Sequence, residues 1–227
     1  MQPDYYTRQL YPLQDKVLKI LEGADASFYL SGGTALSRSW LFHRYSDDLD
    51  FFFNQNPEFK REVEQAIDLF RLQGYQVEVA MAEPDFARFF VLEGLVSLKI
   101  EWINDVAFTF GKKSATALFS RTDHWQNILS NKLSALSRNE SKDIVDILSI
   151  AGHFTFSWPE IVGQAKQKDL WVDELEISRI LDSFDAEKLR EINWIQQPDF
   201  EKLGKQLKQS SRDILEGSEN QPGRKFL

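Results

Sequence analysis

The chain has 227 residues, 42% of them hydrophobic, with three histidines and no cysteine. That composition suits a globule with a proper core, and it excludes a disulfide framework, a thiol nucleophile and a thiolate zinc site. A formal net charge of −8 argues against a protein that coats nucleic acid by bulk electrostatics. No apolar run reaches the roughly 18 to 20 residues of a membrane span, and the opening MQPDYYTRQLYPLQDK has neither a basic nor an apolar leader region. The expectation is a cytoplasmic protein without membrane contact.

Leu10, Leu13, Val17, Leu18 and Leu21 recur at spacings of three and four, which predicts an amphipathic helix over 5–22 ending at Gly23. A short apolar run at 27–30 reads as a strand stopped by Gly32 and Gly33, with Thr34 as N-cap of a helix over 35–42. Residues 48–53 read as a second strand closed by NQNP, and 58–72 as a helix stopping at Gly74. Strands follow at 75–81, 87–92 and 95–103, the last two joined by a turn at Glu93 and Gly94.

From about Thr122 the pattern turns helical, over 123–137, 142–153, 159–168, 173–181, 185–192 and 198–215, before a tail, EGSENQPGRKFL, that reads as loose. The fold class is therefore α+β followed by an all-α part, with domains at 1–120 and 121–227. Local basic clusters at Lys112 and Lys113, around Arg138 and Lys142, and at Arg224 and Lys225 read as solvated faces.

The chemistry concentrates in SGGTALSRSWLFHRYSDDLDFFF, residues 31–53. Asp48 and Asp50 share one face of a strand, whereas Leu49 and Phe51 take the other. Two carboxylates so placed raise a pKa unless a cation or proton separates them. A divalent ion with oxygen ligands, magnesium or manganese, removes the conflict. Phe51, Phe52 and Phe53 would anchor the strand behind them. Asp47 reads as a loop acid beside the true pair.

Glu101, in LVSLKIEWI, shares its face with Lys99 and Ile103, while Leu98, Ile100 and Trp102 share the other. It is the candidate third metal ligand, and because an acid buried there without a partner would be costly, a nearby cation or lysine is expected. Gly32 and Gly33 ahead of a helix let the backbone approach a phosphate with the positive end of the helix dipole behind it. Alone, a Gly-Gly pair is a tight turn and an Asp-x-Asp is ordinary surface. Here one short helix separates them.

GGTAL, HRYSDDLDFFF and NKLSALSRNESKDIVDIL, the last with Lys132, Arg138, Lys142, Asp143 and Asp146, together resemble the AbiEii/AbiGii toxin family of the nucleotidyltransferase superfamily. The resemblance spans about residues 25 to 150. It implies a polymerase-β-like mixed sheet with helices, magnesium, a nucleoside triphosphate donor and transfer of a nucleotidyl group. For some family members the acceptor is the 3′ end of tRNA, and such toxins are restrained by an antitoxin.

Carried over by residue, Ser31, Gly32 and Gly33 match the phosphate-contacting turn. Asp48 and Asp50 match the metal pair, and Lys132 the lysine that meets the triphosphate. Asp146, or else Asp143, matches the acid of the last motif, so that the helical domain would complete the active site. Arg44 and Ser46 would orient the nucleotide or the loop, unless His43 and Arg44 merely close a helix. Glu101 departs from the aspartate expected of a third carboxylate. Two other readings stand beside a tRNA-directed toxin: a nucleotidyltransferase acting on a protein or a small molecule such as an antibiotic, and a silent binding module of the same fold.

Overall fold

The computed structural model describes residues 3–24 and 27–223, so the basic pair Arg224 and Lys225 lies outside the described residues. The chain divides into two units, Met1–His124 and Trp125–Leu227.

The first unit opens with α1 (Pro3–Tyr5), runs through a π-helical stretch, Tyr6–Leu10, and continues as α2 (Tyr11–Glu22). The leucine–valine stripe that the spacing predicts is wholly buried. Next come β1 (Tyr29–Ser31), α3 (Gly32–Ala35) with a π-helical continuation over Leu36–Leu41, β2 (Leu49–Asn54) and α4 (Phe59–Leu72). The meander β3 (Gln76–Ala82), β4 (Phe86–Glu93) and β5 (Val96–Asp105) follows. The five strands form one mixed sheet in the order β1-β2-β5-β4-β3, with β2 parallel to β5 and the other neighbours antiparallel.

Alternation divides this sheet into two faces. Leu49, Phe51 and Phe53 of β2, Ala87, Phe89 and Val91 of β4, and Leu98, Ile100 and Trp102 of β5 are buried on one side. Trp102 is the hub, with ring centroids 4.7 Å from Phe28, 4.9 Å from Phe51 and 5.7 Å from Phe53. Of the three consecutive phenylalanines only Phe51 and Phe53 therefore anchor the core. Phe52 must face the other way, where its ring lies 6.1 Å from that of Tyr29. On that second face the register sets Ser31 opposite Asp50, Asp50 opposite Glu101, and Glu101 opposite Arg88, one polar row across four strands.

The helix after the glycine pair begins earlier than the sequence suggests: Ser31 is the N-cap position and Thr34 lies inside the helix. The hydroxyl of Thr34 has another use, described below.

The second unit consists of α5 (Trp125–Ser134), a 3-10 turn at Leu136–Arg138, α6 (Ser141–His153), β6 (Phe156–Ser157), α7 (Trp158–Lys168) and α8 (Glu174–Ser183), then a 3-10 stretch at Ala186–Glu191, α9 (Phe200–Glu216) and β7 (Glu219–Asn220). Ser157, Asp173 and Asp199 cap α7, α8 and α9 through their side chains, the satisfaction of orphan N–H groups that these residue types favour. The tail is not loose throughout. Gly217, with φ of 67°, ends α9, and Glu219–Asn220 then pairs antiparallel with Phe156–Ser157. The Asn220 amide donates to the carbonyls of Ala151 at 2.9 Å and Phe154 at 2.6 Å. No helix among the described residues is long and apolar enough to cross a membrane.

Trp102→Ala removes the hub of the aromatic core and is expected to cost about 3–5 kcal/mol. Phe52→Ala, on the half-open face, should cost clearly less in the same urea-unfolding experiment. Equal losses would contradict the two-faced sheet.

Candidate active site

The segment between α3 and β2 carries the acids to the sheet, and the first helix fixes it. Tyr6 donates its hydroxyl to Asp47 at 2.8 Å and stacks on Tyr45 with centroids 4.3 Å apart. The Gln14 amide donates to the carbonyls of Ser46 and Asp47 at 3.2 and 3.3 Å, and the Ser46 N–H donates to the Tyr11 hydroxyl at 3.2 Å. Asp47 is thus a structural anchor.

The glycine turn is held from three sides. Thr34 donates its hydroxyl to the Asp48 carbonyl at 2.5 Å, tying α3 to the strand that bears the acids. Gly32 has φ of +66°, and a Cβ there would stand 2.2 Å from Asp50 Oδ2, so the main chain and that carboxylate are in the close approach only glycine permits. A Cβ on Gly33 would stand 2.4 Å from Arg44 Nη2 and 3.2 Å from Ser46 Oγ. Arg44 is 3% exposed and donates from Nη1 to the Tyr45 carbonyl at 3.0 Å. It and Ser46 sit directly beneath the turn.

Behind the turn lies a carboxylate that the sequence does not single out. Asp123 is buried, accepts the Ser31 hydroxyl at 2.6 Å and accepts the His124 N–H at 2.8 Å, while its own N–H donates to the Leu30 carbonyl at 2.8 Å. The Ser31 hydroxyl proton is therefore committed to Asp123. An aspartate ahead of a helical stretch reads as a cap in sequence, so nothing marks it as the support of a turn 92 residues earlier. Lys113, placed by sequence on a solvated face, holds its ammonium 3.7 Å from the centroid of the Tyr29 ring.

The cation expected beside Glu101 is present twice. Arg88 approaches Oε1 with Nε at 2.7 Å and Nη2 at 2.6 Å, and Lys99 Nζ reaches the same oxygen at 3.3 Å. Lys99 also pairs with Asp48 Oδ2 at 2.8 Å. Burial alone would lower the Lys99 pKa, but the hydrogen bond and charge of Asp48, helped by Glu101 and Asp50, outweigh it and hold the ammonium above its ordinary value. The period-2 rule puts Lys99 on the face of Glu101, yet its pairing with Asp48 depends on the β2–β5 register.

Hard oxygen donors are what magnesium or manganese requires, and magnesium is commonly held by one or two carboxylates with substrate phosphates filling its remaining positions. Asp48 and Asp50 fit that mode, next to the Gly-Gly turn that Asp50 approaches closely. Among the described residues there is no ready-made cage of three or more His, Cys, Asp or Glu side chains.

The remaining sequence candidates belong to the second unit. Lys132 Nζ meets Asp143 Oδ1 at 2.6 Å and Asp146 Oδ2 at 2.9 Å, and Arg138 Nη2 meets Asp143 Oδ2 at 3.0 Å. Both aspartates of α6 thus engage the lysine of α5. Asp146 is fully buried, and Asp143 is shared between Lys132 and Arg138.

Residues 17–89 match the family model described as nucleotidyl transferase AbiEii toxin, type IV TA system. This segment holds the Gly-Gly turn, Arg44, Ser46 and both aspartates of the pair. Over that segment the chain is similar to the AbiEii nucleotidyltransferase family. The AbiEii family is one of toxins from type IV toxin–antitoxin systems. Lys132, Asp143 and Asp146 lie beyond the matched segment.

Two solved structures from Helicobacter pylori share the fold. JHP933 is 19% identical, with 95% of this chain and 94% of that one covered at a TM-score of 0.59. A protein described as a candidate nucleotidyltransferase is also 19% identical, covering 95% and 96% at a TM-score of 0.60. At that identity the likeness establishes a shared fold. No curated protein matches the chain.

Gly32→Ala should cost about 1–3 kcal/mol, because it combines a left-handed backbone with a side chain and forces Asp50 aside. Adding Asp50→Ala should return part of the loss by removing the clashing carboxylate. If denaturant unfolding shows strictly additive losses, the close approach of turn and carboxylate is wrong.

Proposed function

We propose that this protein is an AbiEii-type nucleotidyltransferase that transfers a nucleoside monophosphate from a nucleoside triphosphate to an acceptor, as the toxin of a type IV toxin–antitoxin pair acting in the cytoplasm. The observation that carries the proposal is the register of β1 on β2, which lays Asp50 against the backbone of Gly32. Phosphate-facing main chain and an acidic, ion-holding edge are thereby neighbours.

In this reading Gly32 and Gly33 present main-chain N–H groups to the phosphates, with α3 behind them. Ser31 sets the start of the turn from its bond to Asp123. Asp48 and Asp50 hold the divalent ion, magnesium or manganese, which when bound neutralises charge gathering on the transferred and departing phosphates. Arg44 and Ser46 keep the turn in shape, and Arg88 keeps Glu101 in place. Glu101 is assigned to the cations beside it ahead of the ion. Lys132 and Asp146 are given their triphosphate and acidic roles by the family resemblance, with Asp146 preferred over the shared Asp143. The chain's main contribution is position and charge, and no covalent nucleophile is needed.

The resemblance likewise supplies the acceptor class, the 3′ end of tRNA, and the expectation of an antitoxin partner. The protein is to be incubated with magnesium, each of the four α-labelled nucleoside triphosphates and total tRNA. Label should enter tRNA with wild type and fall by at least about 100-fold with Asp48→Ala, since the ion loses half of its protein ligands. Equal labelling by both would overturn the metal pair. Label confined to protein or small molecules would replace tRNA as the acceptor, and no label in any fraction would favour a silent module.

A further inference from the structure

We infer that Lys99 is a resident counter-cation of the acidic edge, holding the place of the divalent ion until a nucleotide arrives and so tying the entry of one to the other. The inference rests on the reading of Asp48 and Asp50 as the ion-holding pair.

Three observations carry it. Lys99 Nζ lies 2.8 Å from Asp48 Oδ2, so the ammonium uses a lone pair that an incoming ion would need. Glu101 does not require Lys99, because Arg88 already places two nitrogens on its Oε1 at 2.7 and 2.6 Å. Arg88 can therefore keep Glu101 neutralised when Lys99 leaves. Finally, the Lys99 side chain is 30% exposed, and a flexible four-carbon stem bearing a compact charge can turn away in a manner that a forked guanidinium cannot.

The charges favour exchange over simple addition. Asp48 and Glu101 carry two negative charges against two positive ones on Lys99 and Arg88, so these four paired groups are balanced before any ion binds. A divalent ion taking Oδ2 of Asp48 displaces the ammonium from it, and the released ammonium keeps only its 3.3 Å contact with Glu101 Oε1, an oxygen that Arg88 already holds, so it lacks a close partner of its own. A polyphosphate supplies one, since phosphate oxygens accept strong charge-assisted hydrogen bonds. Ion and nucleotide should accordingly each improve the other's affinity, by the reciprocity that linkage demands. An ion alone should bind poorly. Lys99 acts here as a positioning residue, through Asp48.

The test is Mn2+ binding to the full chain, followed by electron paramagnetic resonance without turnover. Lys99→Met should bind Mn2+ about tenfold more tightly than wild type when no nucleotide is present, while its ion-free melting temperature falls. Lys99→Arg, which keeps the charge, should bind no more tightly than wild type. A non-hydrolysable α,β-methylene triphosphate should tighten Mn2+ binding by a larger factor in wild type than in Lys99→Met.

If Lys99→Met binds Mn2+ no better than wild type while Asp48→Asn loses it, Lys99 is merely a brace, and the metal pair stands. Tight binding by Lys99→Arg as well as Lys99→Met would also overturn the inference, because charge would not be the cause. If Asp48→Asn leaves Mn2+ binding unchanged, the metal pair itself fails and takes the inference with it. Should Lys99→Met not fold, the lysine 13Cε signal lost in Lys99→Arg can be followed in wild type. It should shift when Mg2+ and the triphosphate analogue are added together, and a signal that stays in place would overturn the inference.

Discussion

The parallel pairing of β2 with β5 is the constraint on which the acidic edge depends. Neighbouring strands in parallel need a crossover, and α4 with the β3–β4 hairpin supplies it. Once Phe51 lies opposite Trp102, the alternation of side chains leaves no choice about the other face. A one-residue slip of β2 would send Asp48 and Asp50 to the core face and turn Phe51 and Phe53 away from Trp102. Burial of the aromatic residues thus specifies where the charges stand.

That arrangement also explains how so many ionic groups coexist in a small area. Each acid is settled by a different means: Asp47 by a tyrosine, Asp48 by Lys99, Glu101 mainly by Arg88, and Asp123 by a serine and a main-chain N–H. In the helical unit, Lys132 between two aspartates follows the same logic. A buried charge is expensive unless paired, and the pairs here spread that cost over several elements.

Much of the fold could be read from periodicity. The α2 stripe, the three strands of the meander and most helices of the second unit fall where apolar spacing puts them, because a single face of each element is buried. The family match, and the fold shared with the two H. pylori structures, agree with the resemblance carried by GGTAL and HRYSDDLDFFF. What the spacing could not give are contacts between distant stretches. Thr34 looks like a cap, yet it serves Asp48; Asp123 looks like a helix start, yet it serves Ser31; and Lys99 is drawn to Asp48 by a strand pairing 51 residues away in sequence. Phe52 was legible in principle, since strict alternation forbids three successive residues from sharing one core.

The brace formed by the first helix bears on which piece of the chain can stand alone. Tyr6, Tyr11 and Gln14 all precede residue 17, where the family match begins, and β5 with Lys99 and Glu101 follows residue 89, where it stops. The stretch that carries the family signature is thus smaller than the object that holds its acids in place. A shuffled or trimmed gene keeping only the signature would inherit the glycine turn and both aspartates without the scaffold that aims them. Heredity of the motif and heredity of the working edge are separable, and the second demands the longer segment.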